Sequence, residues 1–281
     1  CINHNNYFKI FCMKHYIPRL LSKLLSAMLF VFLLPGMQVQ TAVAQTFNTG
    51  DVFVAVSNGQ VQWRSPTGVL IKTLNTNQGG FTTGMAFDRN DNLYVTNFSA
   101  SSVSRFNKNG VLLGLFGSGY ATPESIVFDS SGNVYVGNLN NGIRKFNAAG
   151  QFISTSYAGR VDFIDLAADQ CTMLRTTEGG FLGRHNVCTN TALPNFADNL
   201  GGNAFALRIR ENGEVLLANG ADIVRLSPTG AVIRRYDVGS ENSWFALNLN
   251  PDGTSFWSAN FNTSMVYKID IATGNVLTSF H

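Results

Sequence analysis

Glycine returns along this chain at a nearly fixed interval, each time closing a turn-like stretch, and that spacing constrains the fold more than any other feature. Gly68 follows Ser65-Pro66-Thr67, Gly110 follows Asn107-Lys108-Asn109, and Gly150 follows Asn147-Ala148-Ala149. Gly230 follows Ser227-Pro228-Thr229, and Gly274 follows Asp270-Ile271-Ala272-Thr273. The intervals are about 40 to 44 residues, with one double interval whose midpoint falls on Asn190. Asparagine is the commonest residue besides glycine in the left-handed conformation that such turns need, so Asn190 satisfies the same constraint.

Within each period the apolar runs have strand length. The second repeat reads Met85-Ala86-Phe87, Leu93-Tyr94-Val95, Val103 to Phe106 and Val111-Leu112-Leu113. The third reads Ile126-Val127-Phe128, Val134-Tyr135-Val136, Ile143 to Phe146 and Phe152-Ile153. The fifth and sixth follow the same pattern, whereas the fourth (Ile164-Asp165-Leu166, Met173-Leu174, Phe181-Leu182, Leu193) is less regular. Four short strands per period, joined by Gly, Asn and Asp turns, imply an all-β chain: a six-bladed β-propeller of four-stranded antiparallel blades. Strand length excludes a helical solenoid, and a sandwich does not repeat at this period.

The ends need separate treatment. Lys14, Arg19 and Lys23 precede an apolar run from Leu24 to Leu34, then Pro35-Gly36 and Ala42-Val43-Ala44. This order of basic, apolar and small residues reads as a signal peptide over 13–44. The run is about half the roughly 20 residues of a membrane span, so a retained anchor is the second reading. Residues 1–12 read as upstream read-through or a fragment edge, and 45–281 as one propeller domain. Between Asp51 and Leu74 only three strands are visible, so the first blade is expected to be three-stranded. Its innermost strand is expected from beyond His281, because closure from the opposite terminus covers an open edge.

The leader also carries the chain's excess of positive charge. The whole sequence has a formal net charge of +3, but residues 1–44 hold Lys9, Lys14, Arg19 and Lys23 and no acidic residue. The remainder is close to neutral, which implies neither nucleic acid nor an anionic membrane as partner. A secreted or periplasmic monomer is expected.

Phe128-Asp129-Ser130-Ser131-Gly132-Asn133-Val134-Tyr135-Val136, with Phe87 to Val95 as its near copy, resembles the NHL repeat. Asn250-Pro251-Asp252-Gly253 followed by Phe256 to Asn260 resembles the related YVTN type. The resemblance covers most of residues 51–281 and implies a propeller that serves as a binding or interaction scaffold. Its enzymatic relatives, the streptogramin lyases and the gluconolactonase-like group, place their site in the central channel, and the latter bind metal there through carboxylate and Asn side chains.

Aligning the innermost strands puts Thr83, Glu124, Asp162, Phe205 and Phe245 in one column at the strand entry. Glu124 and Asp162 are the candidate ligands of a divalent cation such as calcium, which prefers oxygen donors; the alternative is two carboxylates held at loop ends by solvent or backbone N–H groups. Further along, Asp165, Arg208 and Asn248 form a polar column, with an Asp165–Arg208 ion pair as its structural reading and an anion-receiving fork as its functional one. Asn97, Asn138, Asn219 and Asn260 recur after the second strand and read as turn chemistry. The tryptophans and many phenylalanines read as packing between blades.

Streptogramin lyases rely on channel histidines, and after the leader only His185 and His281 remain, neither on an innermost strand. No nucleophile–base spacing or phosphate-cradling loop is present. The first reading is therefore a non-catalytic scaffold without a cofactor, binding a protein or small ligand on the channel face. The alternative is a metal-assisted lyase or hydrolase. Cys171 and Cys188 are expected to form a disulfide. A two-residue Gly179-Gly180 turn would set Glu178 opposite Phe181 and so Cys171 opposite Cys188.

Overall fold

A computed structural model describes residues 9–12 and 45–281, and every regular element in them is a strand. Blade one contains β1 (Lys9–Cys12), β2 (Val52–Val56), β3 (Gln60–Arg64) and β4 (Leu70–Asn75). Blade two contains β5 (Thr82–Phe87), β6 (Leu93–Asn97), β7 (Ser102–Phe106) and β8 (Leu112–Leu115). Blade three contains β9 (Pro123–Phe128), β10 (Val134–Asn138), β11 (Gly142–Phe146) and β12 (Phe152–Tyr157). Blade four contains β13 (Ile164–Leu166), β14 (Thr172–Arg175), β15 (Leu182–Asn186) and β16 (Thr191–Ala197). Blade five contains β17 (Leu207–Ile209), β18 (Val215–Ala218), β19 (Ile223–Leu226) and β20 (Val232–Tyr236). Blade six contains β21 (Trp244–Leu249), β22 (Ser255–Asn260), β23 (Val266–Asp270) and β24 (Val276–Phe280). Each blade is a four-stranded antiparallel sheet, and the six form a β-propeller.

The turn glycines behave as the spacing requires. Gly68, Gly110, Gly150, Gly230 and Gly274 have φ of 87°, 68°, 83°, 86° and 79°, and Asn190 takes φ 55° in the fourth repeat. A β-carbon is disfavoured in that region, which is why glycine marks the period.

Blade one differs from the expectation. It has four strands, and the innermost one is β1, antiparallel to β2 with Phe11 opposite Val54 and Cys12 opposite Phe53. The inner edge of β2 is thus covered by Lys9–Cys12; an unpaired inner edge would leave a row of N–H and C=O groups without partners. The signal-peptide region, 13–44, lies outside the described residues.

A repeated side-chain arrangement holds the blades. In blade three the Asp129 carboxylate accepts the N–H groups of Ser131 and Asn133 in the turn between the first two strands. Lys145 lies 3.7 Å from that carboxylate and 4.9 Å from the ring of Tyr135, its direct cross-strand partner. Blade two has the same capped turn and cation–ring pair with Asp88, Tyr94 and Arg105, and blade six repeats the whole arrangement with Asp252, Trp257 and Lys268. In blade one the acid is Asp51, which accepts the Trp63 indole N–H at 2.7 Å. In blade five Glu214 accepts two hydrogen bonds from Arg225, and these foremost hold its carboxyl down at about 2. Trp63, Trp244 and Trp257 are fully buried, as the reading of them as packing residues requires. The recurrent asparagines are buried turn clamps: Asn138 donates to the carbonyls of Val136 and Gly142 and accepts the N–H of Ala121.

Cys171 and Cys188 are disulfide-bonded, with Cα atoms 5.1 Å apart. The register is one residue away from the expected one. Thr172 faces Asn186 and the Val187 N–H donates to the Cys171 carbonyl, so the bond runs diagonally from Cys171 past Val187 to Cys188. The cause lies in the loop. Glu178 takes the left-handed conformation, φ 59°, while Gly179 and Gly180 do not, so the two-residue turn is replaced by a longer connection between Arg175 and Leu182.

Candidate ligand site at the channel mouth

The inner strands enter the propeller at one end, and the residues at that entry split the mouth into two halves. On the side of blades two to four the entry is polar. Thr83 is buried, 2.8 Å from the Thr96 hydroxyl, and donates to the Pro123 carbonyl of the next blade. Glu124 and Asp162, from blades three and four, are each only 3% exposed. Asp162 is positioned by its backbone N–H, which donates to the Thr176 carbonyl, and by Arg160, whose guanidinium meets Asp162 Oδ1 and Glu178 Oε2 at 3.0 Å each. The second oxygen, Asp162 Oδ2, is buried with no hydrogen-bond partner. Burial above all, with the negative charges of Glu124 and Glu178 added and Arg160 opposing, pushes the Asp162 carboxyl up to about 7.

On the side of blades five and six the same column is aromatic. The Phe205 and Phe245 rings are 4.8 Å apart, and Phe245 is 5.5 Å from Phe261. Backbone bonds hold the loops that carry them. The Phe205 N–H donates to the Ala218 carbonyl, Ala206 N–H to the Phe245 carbonyl, and Phe261 N–H to the Ser243 carbonyl. Gly202 allows this approach, because a β-carbon there would lie 2.3 Å from the Asn219 carbonyl oxygen.

These phenylalanines line a cavity of about 560 Å³, together with Asn203, Asn242, Ser243 and Glu178. Glu178 joins the two halves, since it lines the cavity and shares Arg160 with Asp162. The volume lies in the range that encloses a small organic molecule, and aromatic walls with a few amide and hydroxyl groups are what such sites use.

Deeper in the channel the Asp165, Arg208 and Asn248 column is present on β13, β17 and β21. Its hydrogen bonds differ from the pairing expected. Arg208 Nε donates to Asn248 Oδ1 at 2.6 Å, and its guanidinium lies 4.7 Å from the Phe163 ring. Asp165 is tied to blade five through the backbone N–H of Ile209, at 2.8 Å, and also accepts the N–H of Leu166. These bonds link blade four to blade five and blade five to blade six.

The candidate metal ligands Glu124 and Asp162 come from adjacent entries and interact electrostatically. Among the described residues, however, no group of three or more His, Cys, Asp or Glu side chains could hold a metal ion. An arginine already takes one Asp162 oxygen, Oδ1, which leaves Oδ2 as the oxygen this residue could offer a cation.

Phe205 and Phe245 were visible in the sequence column, but Phe261, Asn203, Asn242, Ser243, Arg160 and Glu178 were not singled out. A signal existed for one: Phe261 directly follows the recurrent Asn260. His185 lies on β15, with Nε2 3.2 Å from Asn190 Oδ1 and its ring against Tyr157. A comparison with protein-family models gives no match, and a comparison with curated proteins gives none either.

Proposed function

We propose that this propeller is a non-catalytic extracytoplasmic binding scaffold of NHL-like type that holds a small organic ligand at the mouth of its channel. The observation that carries this reading is the cavity between Phe205, Phe245 and Phe261, with Asn203, Asn242 and Ser243 as its polar contacts. The basic–apolar–small pattern over 13–44 supports export, as does the disulfide, which needs an oxidising compartment. Processing after Ala44 would separate Lys9–Cys12 from the rest of blade one.

The test uses 2-naphthalenemethanol, a neutral aryl alcohol small enough for the cavity. Ligand-observed NMR should detect millimolar binding that Phe245→Ala weakens at least fivefold. Binding unchanged by Phe245→Ala would sink the assignment of the site. A second reading, a metal-assisted lyase or hydrolase, draws on the partnerless oxygen of Asp162 beside Glu124. The same samples titrated with calcium alone address it: a rise in melting temperature that Glu124→Gln abolishes would favour the metal.

A further inference from the structure

The ligand's charge can be read from the same site. The loops on the entry face carry Asp162, Glu178, Asp198, Asp222, Asp237 and Glu241, with Glu124 at the entry of β9, whereas Arg160 is the one basic residue within those loops among the described residues. Arg235, from the end of β20, reaches the face and is bound to Asp222. Arg160 is shared between Asp162 and Glu178, so it neutralises less than the pair it bridges. Arg144 from β11 binds the Gly119 carbonyl and Arg175 ends β14 over the Tyr157 ring, so seven carboxylates face four guanidiniums. The balance at the mouth is negative, and a cavity walled by low-dielectric aromatic rings strengthens its field. Phenylalanine faces carry the negative end of the ring quadrupole, so they too favour a cation over a neutral or anionic group.

We propose that the cavity takes an organic ammonium ion, its aromatic or compact apolar body lying against Phe205, Phe245 and Phe261 and its charged head directed to Glu178. This rests on the small-ligand reading above and specifies its chemistry. Two observations support it independently of the rim charge. Glu178 is itself a lining residue of the aromatic cavity. Behind it, Asp162 is 97% removed from solvent with one oxygen lacking a hydrogen-bond partner, so its ionised form is costly there and a bound cation would favour it. An anion would meet Glu178 at the wall, and a neutral ligand could offer it a hydrogen bond but no charge.

The experiment compares three probes of nearly equal shape: 2-naphthylmethylammonium, 2-naphthalenemethanol and 2-naphthoate. Affinities are read by NMR titration at pH 7.5 and low salt, with wild type, Glu178→Gln and Phe245→Ala. Glu178 lies in an exposed loop, so its variant should fold, and a melting curve checks this. The ammonium should bind at least tenfold more tightly than the alcohol, and the carboxylate should bind least. Glu178→Gln should cut the ammonium's advantage at least threefold while leaving the alcohol unchanged. Phe245→Ala should weaken both. Equal affinities for ammonium and alcohol, or an advantage insensitive to Glu178→Gln, would overturn the cation assignment and leave the small-ligand reading standing. No binding of any probe would overturn both.

Discussion

Blades three and four are neighbours, follow the same order of strands and are held by different chemistry. Blade three has a six-residue inner strand and the full stack of Asp129, Lys145 and Tyr135. Blade four has a three-residue inner strand, with Leu174 and Arg184 facing each other where blade three has Tyr135 and Lys145, so the cation is kept and the ring is lost. Its Asp169 still caps the turn through the N–H groups of Cys171 and Thr172, but Arg184, in the place of Lys145, donates instead to the Pro194 carbonyl. The Cys171–Cys188 bond sits beside that turn. The outer strands differ too. Phe152 and Ile153 are half exposed in blade three, whereas blade four presents no large exposed apolar side chain. The blade that departs furthest from the repeat is also the one whose loops supply Arg160, Asp162 and Glu178 to the channel mouth. The disulfide ties the strands of this blade together at the end opposite those loops.

The most severe way to break this comparison is to remove the staple. Cys171→Ala with Cys188→Ala should destabilise the protein by about 3 kcal/mol, the chain-entropy value for a loop of this size. Hydrogen exchange should show the loss concentrated in blade four, with blade three unchanged. A uniform loss across both blades would mean that the bond does not compensate for a local weakness.

A smaller effect concerns the charge that blade four brings to the mouth. Folding raises the Asp162 carboxyl from an ordinary 3.8 to about 7, so the folded state favours its neutral form. Its contribution to stability is therefore complete at pH 4, is lost as pH rises towards 7, and is absent above it. A shift of this size corresponds to at most about 4 kcal/mol. Asp162→Asn removes the titration together with the charge on the Arg160 hydrogen bond, which leaves a net gain of about 2 kcal/mol at pH 8 and little difference at pH 4. Denaturant unfolding of both proteins across that range checks the sign. Parallel pH profiles for wild type and variant would show that Asp162 does not titrate there.

The same contrast explains what could be read from the sequence. The blade count was legible because one backbone requirement, a left-handed residue after the third strand, forces glycine or asparagine at each of Gly68, Gly110, Gly150, Asn190, Gly230 and Gly274. The disulfide was legible as a pairing, but its register was not. Nothing in Glu178-Gly179-Gly180 says that the glutamate, not a glycine, takes the positive φ. The covering of β2 by Lys9–Cys12 was hidden because four residues far from the repeats leave no periodic trace. At the mouth, alignment of the inner strands brought Glu124, Asp162, Phe205 and Phe245 together, since they share a position in the period. Glu178, Asn203 and Asn242 come from loops of unequal length, where a repeat-based alignment has no register to offer.

The smallest expected effect isolates the interaction that blade three has and blade four lacks. Lys145 and Tyr135 face each other directly across β10 and β11, with the ammonium 4.9 Å from the ring centre. The ring is buried and the lysine partly so, which sets the cation–π contribution at about 0.5–1 kcal/mol. Lys145 also lies 3.7 Å from Asp129, and a single substitution cannot separate the two. A double-mutant cycle with Lys145→Met and Tyr135→Leu can, because the ion pair cancels between the arms that keep Asp129. The coupling should be about 0.5–1 kcal/mol and should survive 0.5 M salt, which screens exposed pairs more than desolvated contacts. The matching cycle at Arg184 and Leu174, facing each other across β14 and β15, should give a coupling near zero, because leucine offers no ring face. Equal couplings in the two blades would remove the stack as the difference between them, and the staple would then need another explanation.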